Sequence, residues 1–508
     1  MKYIDSFLNK ITMYRFVLYY TLFLFIVAVV FGAFHILPYS PLALIFSALL
    51  IACVCVNANW IFAKVFEVHV NVESVYITAL ILTLIITPIK SLTDVSFYEL
   101  AVWASIWAIA SKYMFAIGKK HIFNSAAIGV AIPAIFLGVS ASWWIGTAVM
   151  APFVLVGGLL MVRKIRRSDL VWAFFAAALV VIIGVHVLGG QNPFVTLNKV
   201  LLEAPILFFA FVMLTEPLTT PPTKRLRVSY GIIAGILFAP FIHIGSVYST
   251  PELALLAANV FSYIVSPKGK YMLALREKVK VANDTYDFWF ERIGGASKYQ
   301  PYFKAGQYME WTLAHTGAEA VKTDMRGNRR YFTLASSPTE KGLAMGVKMY
   351  EPSSSFKKAL MSLNPGDTIV AGQLAGDFTL PHDVSKKVAF IAGGIGVTPF
   401  RSMVKYMIDA GEKRNAILFY SNRTPADIAY KNLFDVAANQ IGMKTVYVNA
   451  SENKMLTAEM IRANAPDFAE RMFYISGPHG MVTAFQKILS DMGVPASSIR
   501  TDFFPGFA

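Results

Sequence analysis

Two hydrophobic patterns divide the chain. Between residues 14 and 266 apolar side chains follow one another with few interruptions, whereas from Lys270 onward they alternate with polar ones or come in short bursts. An apolar run of about 18 residues or more is long enough to cross a bilayer as a helix. About ten runs approach that length, at 14–37, 41–63, 73–89, 97–117, 124–139, 144–162, 169–188, 200–218, 228–244 and 250–266. They predict a polytopic α-helical membrane domain over 1–267. The first run is too long for a signal peptide and lacks a small-residue cleavage site.

Beyond it the period changes to two. Residues 271–275, 279–281 and 287–291 alternate as strands do, and the turn Phe303-Lys304-Ala305-Gly306-Gln307-Tyr308 leads into another. Short strands at this spacing predict an antiparallel β-barrel over 268–383. Within it, Ser353-Ser354-Ser355 precedes a helical pattern, so hydroxyls cap a helix whose free N–H groups can hold a phosphate. After Pro381 strands and helices alternate, which predicts an α/β nucleotide-binding domain over 384–508. The run Val388-Ala389-Phe390-Ile391-Ala392 is wholly apolar, as in a parallel strand covered on both faces. It leads into Gly393-Gly394-Ile395-Gly396-Val397-Thr398-Pro399. Strands at 416–420 and 473–475 lead into Ser421-Asn422-Arg423 and Ser476-Gly477-Pro478. Three such loops meet at the carboxyl edge of a parallel sheet, where nucleotides bind.

The formal charge of +15 would suit a nucleic-acid partner, but its distribution needs none. Lys2 and Lys10 precede the first run and Arg15 stands at its start. Lys64, then Lys119 and Lys120, then Arg163, Lys164, Arg166 and Arg167, then Lys224, Arg225 and Arg227 fall in every second connection. The alternate connections carry little beyond Lys90 and Lys199. This is the positive-inside pattern. It predicts an integral protein of the plasma (inner) membrane, with lipid as a partner and with the N-terminus and the C-terminal half both cytoplasmic. The two cysteines, Cys53 and Cys55, make no disulfide framework and no four-cysteine cluster within one chain. Core packing explains them; the alternative is a cluster shared with a second copy in a homo-oligomer. No metal site is expected within a single chain.

Two apolar runs are broken at their ends by Thr and Pro: Ile85-Ile86-Thr87-Pro88-Ile89-Lys90-Ser91, and 213–222 (MLTEPLTTPP) five runs later. Interrupted helices at matching places in two oppositely oriented halves mark an inverted repeat with a binding site near its interface. The alternative is that Pro simply caps two helices. Glu216 lies at the second break, and an ionisable residue in such a place is a functional candidate. Residues 213–223 (MLTEPLTTPPT) with Tyr230-Gly231, and His121-Ile122-Phe123-Asn124-Ser125-Ala126-Ala127, resemble the T-D-P-x-T-x-P and F-N-P-A-A segments of the Rnf complex D subunit and Nqr B subunit family. Ser125 stands where that family has proline. The resemblance implies about ten spans in two inverted repeats and a second flavin, FMN or riboflavin, in the membrane domain. It names Asn124, Thr215, Glu216 and Thr220 as flavin or ion candidates. The S-G-A-T motif that carries covalent FMN in the family is missing here, and Thr196, expected in a loop at 191–198, is a poor substitute, so the flavin is expected to be non-covalent. His35, His186 and His243 raise haem as a different carrier, but none of the runs holds the two histidines that a bis-histidine arrangement uses.

The stretch Arg330-Tyr331-Phe332-Thr333 carries the most chemistry. An arginine clamps a pyrophosphate through paired charge-assisted bonds. Two residues on, on the same face of a strand, Phe332 can lie against a heteroaromatic ring, and the Thr333 hydroxyl can bond a ring nitrogen. Taken with Gly306-Gln307-Tyr308, the glycine-rich loop, Ser421-Asn422-Arg423 and Gly477-Pro478-His479-Gly480-Met481, the stretch resembles the ferredoxin–NADP reductase family over 268–508. The resemblance implies FAD held by Arg330, Tyr331, Phe332, Thr333, Ser354 and Ser355. It implies NADH or NADPH held by Gly393, Gly394, Gly396, Thr398, Pro399, Ser421, Arg423, Gly477 and Pro478. Catalytic candidates are Thr333, Ser476 (where the family has Cys), Asp502 and Phe504, the last two matching a terminal acid-x-aromatic pattern. The expected function is a membrane-bound oxidoreductase taking hydride from NAD(P)H onto FAD and passing electrons into or across the membrane. The acceptor is a quinone, an extracytoplasmic flavoprotein or a redox protein. A redox-driven sodium or proton transporter, a haem-type transmembrane reductase and a plain membrane anchor remain alternatives.

Overall fold

The computed structural model describes residues 8, 11–67, 72–117, 120–267, 270–293, 302–313, 328–452 and 455–502. The chain forms two compact units, Met1–Gly269 and Lys270–Ala508.

The first unit is helical: α1 (Met13–Ala33), α2 (Pro41–Val65), α3 (Val72–Ile85), α4 (Val95–Met114), α5 (Ser125–Leu137), α6 (Ala151–Ile165), α7 (Ser168–Leu188), α8 (Pro193–Leu202), α9 (Ile206–Met213), α10 (Lys224–Leu237) and α11 (Pro251–Val265). Local sequence explains where many of them start. Thr12, Ser40, Asp94, Asn124, Asn192 and Thr250 each place a side-chain oxygen on a free N–H of the first turn. Pro41, Pro193 and Pro251 stand where a missing N–H costs nothing.

Ten uniform spans are not what forms. Among the described residues α1, α2 and α7 are long and apolar enough to cross a membrane, and the pair α8–α9, bent by 63°, makes a fourth if counted as one span. The apolar helices α3, α5 and α11 are shorter. The departures have local causes. Pro205 cannot continue a helix, so the run at 200–218 breaks after Leu202 and resumes at Ile206 with a π-helical turn over Phe209–Met213. The run at 144–162 becomes helical only at Ala151. Its first residue and the one before it instead serve the broken end of α3: Trp143 N donates to Ile85 O at 2.8 Å, and Trp144 Nε1 to Thr83 O at 2.8 Å. Thr196 lies buried in α8, not in the loop expected at 191–198. Helix α4 packs on α2 and α5, while α10 packs on α7 and α11. Helices α5 and α11 also touch each other.

The second unit starts with six antiparallel strands: β1 (Tyr271–Ala282), β2 (Thr285–Arg292), β3 (Tyr308–Leu313), β4 (Arg329–Thr333), β5 (Leu343–Lys348) and β6 (Thr368–Ala375). Their order is β4-β3-β6-β1-β2-β5. The ladder runs from β4 at one edge to β5 at the other. The two edge strands meet just past the end of β4, where Ala335 N donates to Ala344 O at 2.7 Å. Leu273, Leu275, Phe288, Phe290, Met309 and Trp311 form the core on the inner face. Each large apolar side chain so buried contributes about 1.5–3 kcal/mol. Helix α12 (Ser355–Ser362) covers this core with Phe356 and Leu360.

Five parallel strands follow: β7 (Val388–Gly393), β8 (Ala416–Asn422), β9 (Lys444–Asn449), β10 (Met472–Ser476) and β11 (Ile499–Asp502), in the order β9-β8-β7-β10-β11. Helices α13 (Thr398–Asp409), α14 (Lys431–Ile441), α15 (Ala458–Asn464) and α16 (His479–Asp491) join them. Strand order reverses around β7, so β8 and β10 flank the glycine-rich loop, which is the arrangement that opens a ligand crevice. The segment entering this sheet is pinned by Arg414. Its guanidinium is buried and donates to the carbonyls of Pro381 and Asp383, with Glu412 balancing its charge.

Candidate functional site

Strand β4 behaves as its period of two requires. Arg330 and Phe332 share a face and both meet Phe356 of α12: the guanidinium lies 5.3 Å from its ring centre, and the Phe332 ring 5.8 Å away. Tyr331 points the other way, where its phenol donates to Glu310 at 2.9 Å and to Gln373 at 3.3 Å. The Tyr331 side chain is therefore spoken for within the sheet. Thr333 ends the strand. It is 4% exposed, and its hydroxyl makes no hydrogen bond with any described residue. A buried hydroxyl without a partner costs about 1–3 kcal/mol, so this atom fits a ligand that supplies a donor or acceptor. Ser354 caps α12 by accepting from Lys357 N at 3.3 Å, and Ser355 is its first residue.

The nucleotide crevice is formed by three strand ends. Gly393 closes β7, and Gly394–Val397 make a single 3-10 turn straight into α13, which begins at Thr398. Gly394 takes the left-handed conformation (φ +51°), which suits glycine. Gly396 is needed for contact: a Cβ there would lie 2.5 Å from Ser476 O and 2.6 Å from Gly477 Cα. The glycine-rich turn and the Ser476-Gly477-Pro478 turn are therefore in contact. Thr398 Oγ1 donates back to Ile395 O at 3.2 Å, and Pro399 is buried in the first turn of α13. Ser421 lies inside β8, paired in register with Gly393, and exposed Arg423 follows the strand. Ser476 pairs in register with Ala392 on one side and with Asp502 on the other. Phe504 lies outside the described residues.

Sequence reading missed a second set of residues, which ties the glycine-rich side to the antiparallel sheet. Arg401 of α13 pairs with Glu340 in a fork of two bonds and donates to Ala335 O at 3.1 Å. Tyr430 Oη donates to Asp287 Oδ1 at 2.5 Å. Burial pushes the Asp287 carboxyl up to about 6 against the opposing pulls of Tyr430 and Arg401. A Cβ at Gly346 would fall 2.5 Å from Tyr430 Oη and 2.6 Å from Thr398 Cγ2, so glycine lets these groups meet the sheet. The nearest signal in the sequence was an arginine three residues beyond Thr398, which alone says little.

In the helical unit the structure joins two of the four candidates. Asn124 Nδ2 donates to Glu216 Oε2 at 3.0 Å, its Oδ1 caps Ala127 N at 3.1 Å, and its own N–H donates to Asn259 Oδ1 at 2.8 Å. Thr219 adds a bond to Glu216 at 3.2 Å, and Asn259 reaches Tyr230 at 2.8 Å. Thr215 and Thr220 are turned away, bonded to the carbonyls of Phe211 and Pro217. Thr219 and Asn259 were not anticipated, and Tyr230 was noted only as part of a motif; the signal for Asn259 is a polar residue within the apolar run 250–266. His186 and His243 each bond a nearby carbonyl. Cys55 is buried and Cys53 exposed, both as free thiols. Among the described residues no group of three or more His, Cys, Asp or Glu is placed to hold a metal.

Comparison with known proteins bears on the second unit. The family model of the oxidoreductase NAD-binding domain matches residues 390–487. The flavohemoprotein of Bacillus subtilis is 25% identical over 219 residues, covering 41% of this chain and 53% of its own. The stachydrine N-demethylase reductase subunit of Rhizobium meliloti is 26% identical over 217 residues, covering 40% and 59%. Among solved structures, the FAD/NAD-binding domain of nitric oxide dioxygenase from Vibrio cholerae aligns at 19% identity with a TM-score of 0.40, covering 46% of this chain and 99% of that one. The chain spans only a little over half the length of these two curated relatives. Within the second unit, the match to the oxidoreductase NAD-binding domain takes in the parallel strands β7, β8, β9 and β10 and the turns that end β7, β8 and β10.

Proposed function

We propose that this protein is a membrane-bound flavoenzyme that takes hydride from NADH or NADPH onto FAD and passes electrons into its own helical unit. The observation that carries the reading is the Thr333 hydroxyl, buried and without a partner among the described residues, at the end of the strand that presents Arg330 and Phe332 on one face. FAD, when bound, supplies the two-electron to one-electron conversion; the chain supplies position. Arg330 holds the pyrophosphate, Phe332 lies against the ring system and Thr333 bonds its edge. Gly394 and the Gly396–Ser476 contact shape the turn that receives the nicotinamide nucleotide. Ser421 and Arg423 are placed to meet a 2′-phosphate, which favours NADPH. Asp502, in register with Ser476, stands beside the nicotinamide turn. The test is anaerobic mixing of the purified full chain with each nucleotide. Flavin that is released by acid as FAD and bleached by NADPH or NADH supports the reading; flavin left oxidised by both overturns it.

For the helical unit, the reading is an arrangement of two inverted repeats, with the breaks after Ile85 and Met213 in equivalent places and α5 touching α11 between them. Its interior carries a second, non-covalent flavin near the Asn124–Glu216 pair, and a quinone or redox protein accepts the electrons. A flavin count of two per chain, with none remaining acid-stable, is the expected result; one per chain refutes it. Ion movement coupled to electron flow is the second reading, and the buried Asn124–Glu216–Thr219 group favours it. Turnover in proteoliposomes that ignores sodium, protons and membrane potential removes that alternative.

A further inference from the structure

The proposed hydride transfer needs two separately built surfaces to be held at a fixed separation. One is the end of β4 with Thr333; the other is the turn Gly394–Val397 with Thr398. Between them lies an unusually complete polar joint. Arg401 is 11% exposed and its guanidinium spans Glu340, with Nη2 to Oε1 at 2.9 Å, and Ala335 O at 3.1 Å. Glu340 is itself fixed by Ser337 N at 2.6 Å, and Ser402 Oγ donates to Ser336 O at 2.7 Å. The guanidinium lies over the Trp289 ring at 5.4 Å and near the Tyr430 ring at 5.9 Å. Ala335 is two residues past Thr333, and Arg401 is three past Thr398.

A buried ion pair is a poor way to gain stability, because desolvation offsets most of the attraction. A forked pair does fix both distance and angle, which a patch of apolar contacts does not. We propose that Arg401 is a positioning residue, setting the separation between the Thr333 strand end and the nicotinamide turn. This inference rests on the hydride-transfer reading above. Arg401 acts through Glu340 and the 335–337 backbone and touches no reacting atom. An error of about 1 Å in such a separation slows transfer by up to about a hundredfold.

The test uses the full-length protein with Arg401→Met, Arg401→Lys and Glu340→Gln. In flavin-loaded protein, Arg401→Met is expected to slow the limiting rate of flavin reduction by about tenfold or more. The half-saturating nucleotide concentration should move by less than about threefold, with the isotope effect from 4-deuterated nucleotide retained, since binding and the slowed step are separate. Arg401→Lys, which keeps the charge but loses the fork, should recover part of the rate. In flavin-free protein, hydrogen exchange should rise at 334–342 and 394–402 together. A reduction rate within twofold of the parent, or exchange unchanged at both segments, overturns the inference. If Arg401→Met does not accumulate, Glu340→Gln decides by the same two measurements. Failure of the parent protein to be reduced by either nucleotide would instead overturn the hydride-transfer reading itself.

Discussion

Tyr430 donates its phenol proton to Asp287 at 2.5 Å, joining the residue before helix α14 to strand β2 of the antiparallel sheet. Asp287 is 3% exposed, and its carboxyl is pushed up to about 6 from an ordinary 3.8, chiefly by burial and against Tyr430 and Arg401, with Glu340 adding to the rise. The sign follows from the proton's preference. The folded protein holds that proton more tightly than the unfolded chain, so the contribution is largest below about pH 4 and is lost as pH rises through about 6. Asp287→Asn should flatten that dependence. It should melt near or above the parent at pH 7.5 and below it at pH 4, within a span of about 2–3 kcal/mol. Parallel melting curves for the two proteins across this range would contradict it.

Thr333 offers a cleaner separation of stability from function. Its hydroxyl has no partner among the described residues, so Thr333→Val removes a desolvation cost and should raise the stability of flavin-free protein by about 1 kcal/mol. The same change should weaken FAD retention or slow flavin reduction by about tenfold, while Thr333→Ser stays close to the parent. Thermal melting without flavin and stopped-flow reduction with it are the two measurements. A fall in both would mean that the hydroxyl has a protein partner.

Gly396→Ala should act on one cofactor and spare the other. The added carbon would lie 2.5 Å from Ser476 O, so the two turns must separate. Nucleotide binding is expected to weaken by about tenfold or more, with FAD content unchanged, because a backbone contact of this kind cannot relax cheaply. Equilibrium binding of NADP+ or NAD+ and flavin extraction check this directly.

In the helical unit, Asn124→Leu should destabilise far more than Thr215→Val. Asn124 serves Ala127 N, Glu216 and Met213 O at once, whereas the Thr215 hydroxyl returns to a carbonyl of its own segment. Removing Asn124 leaves Glu216 with Thr219 alone and orphans Ala127 N, at about 1–3 kcal/mol for the buried group left unmet, against about 1 kcal/mol or less for the threonine. Melting in detergent should rank the two variants in that order.

How much of this was legible in the sequence depends on how local each feature is. The period of two placed Arg330 and Phe332 on one face, and the short apolar strand before the glycines placed the nucleotide turn, because both are properties of neighbouring residues. The run at 144–162 misled because hydropathy measures composition and not helicity. Trp143 and Trp144 are apolar, yet they leave the helical path to complete the end of α3 about 60 residues earlier, an interaction nothing local announces. The bend between α8 and α9 was signalled by Pro205, but the length of the apolar run hid it. Arg401 and Glu340 are 61 residues apart, and Asp287 and Tyr430 are 143 apart. Pairings of that range belong to tertiary structure, and a single chain read by pattern contains no sign of them.

The knot around Asn124 and Glu216 bears on how the protein is made. Segment 209–220 contains a π-turn, a carboxyl group and Pro217, and its Met213 carbonyl and Glu216 are met by Asn124, which is synthesised earlier. Asn124 in turn is satisfied by Asn259, which is synthesised later. Neither segment 209–220 nor the start of α5 can complete its hydrogen bonding when it leaves the ribosome, because each buried polar group needs a partner from elsewhere in the chain. Residues 124–259 therefore mature as one block, closing only when the last helix arrives, and a chain arrested before Asn259 presents an open seam to the cell's quality control.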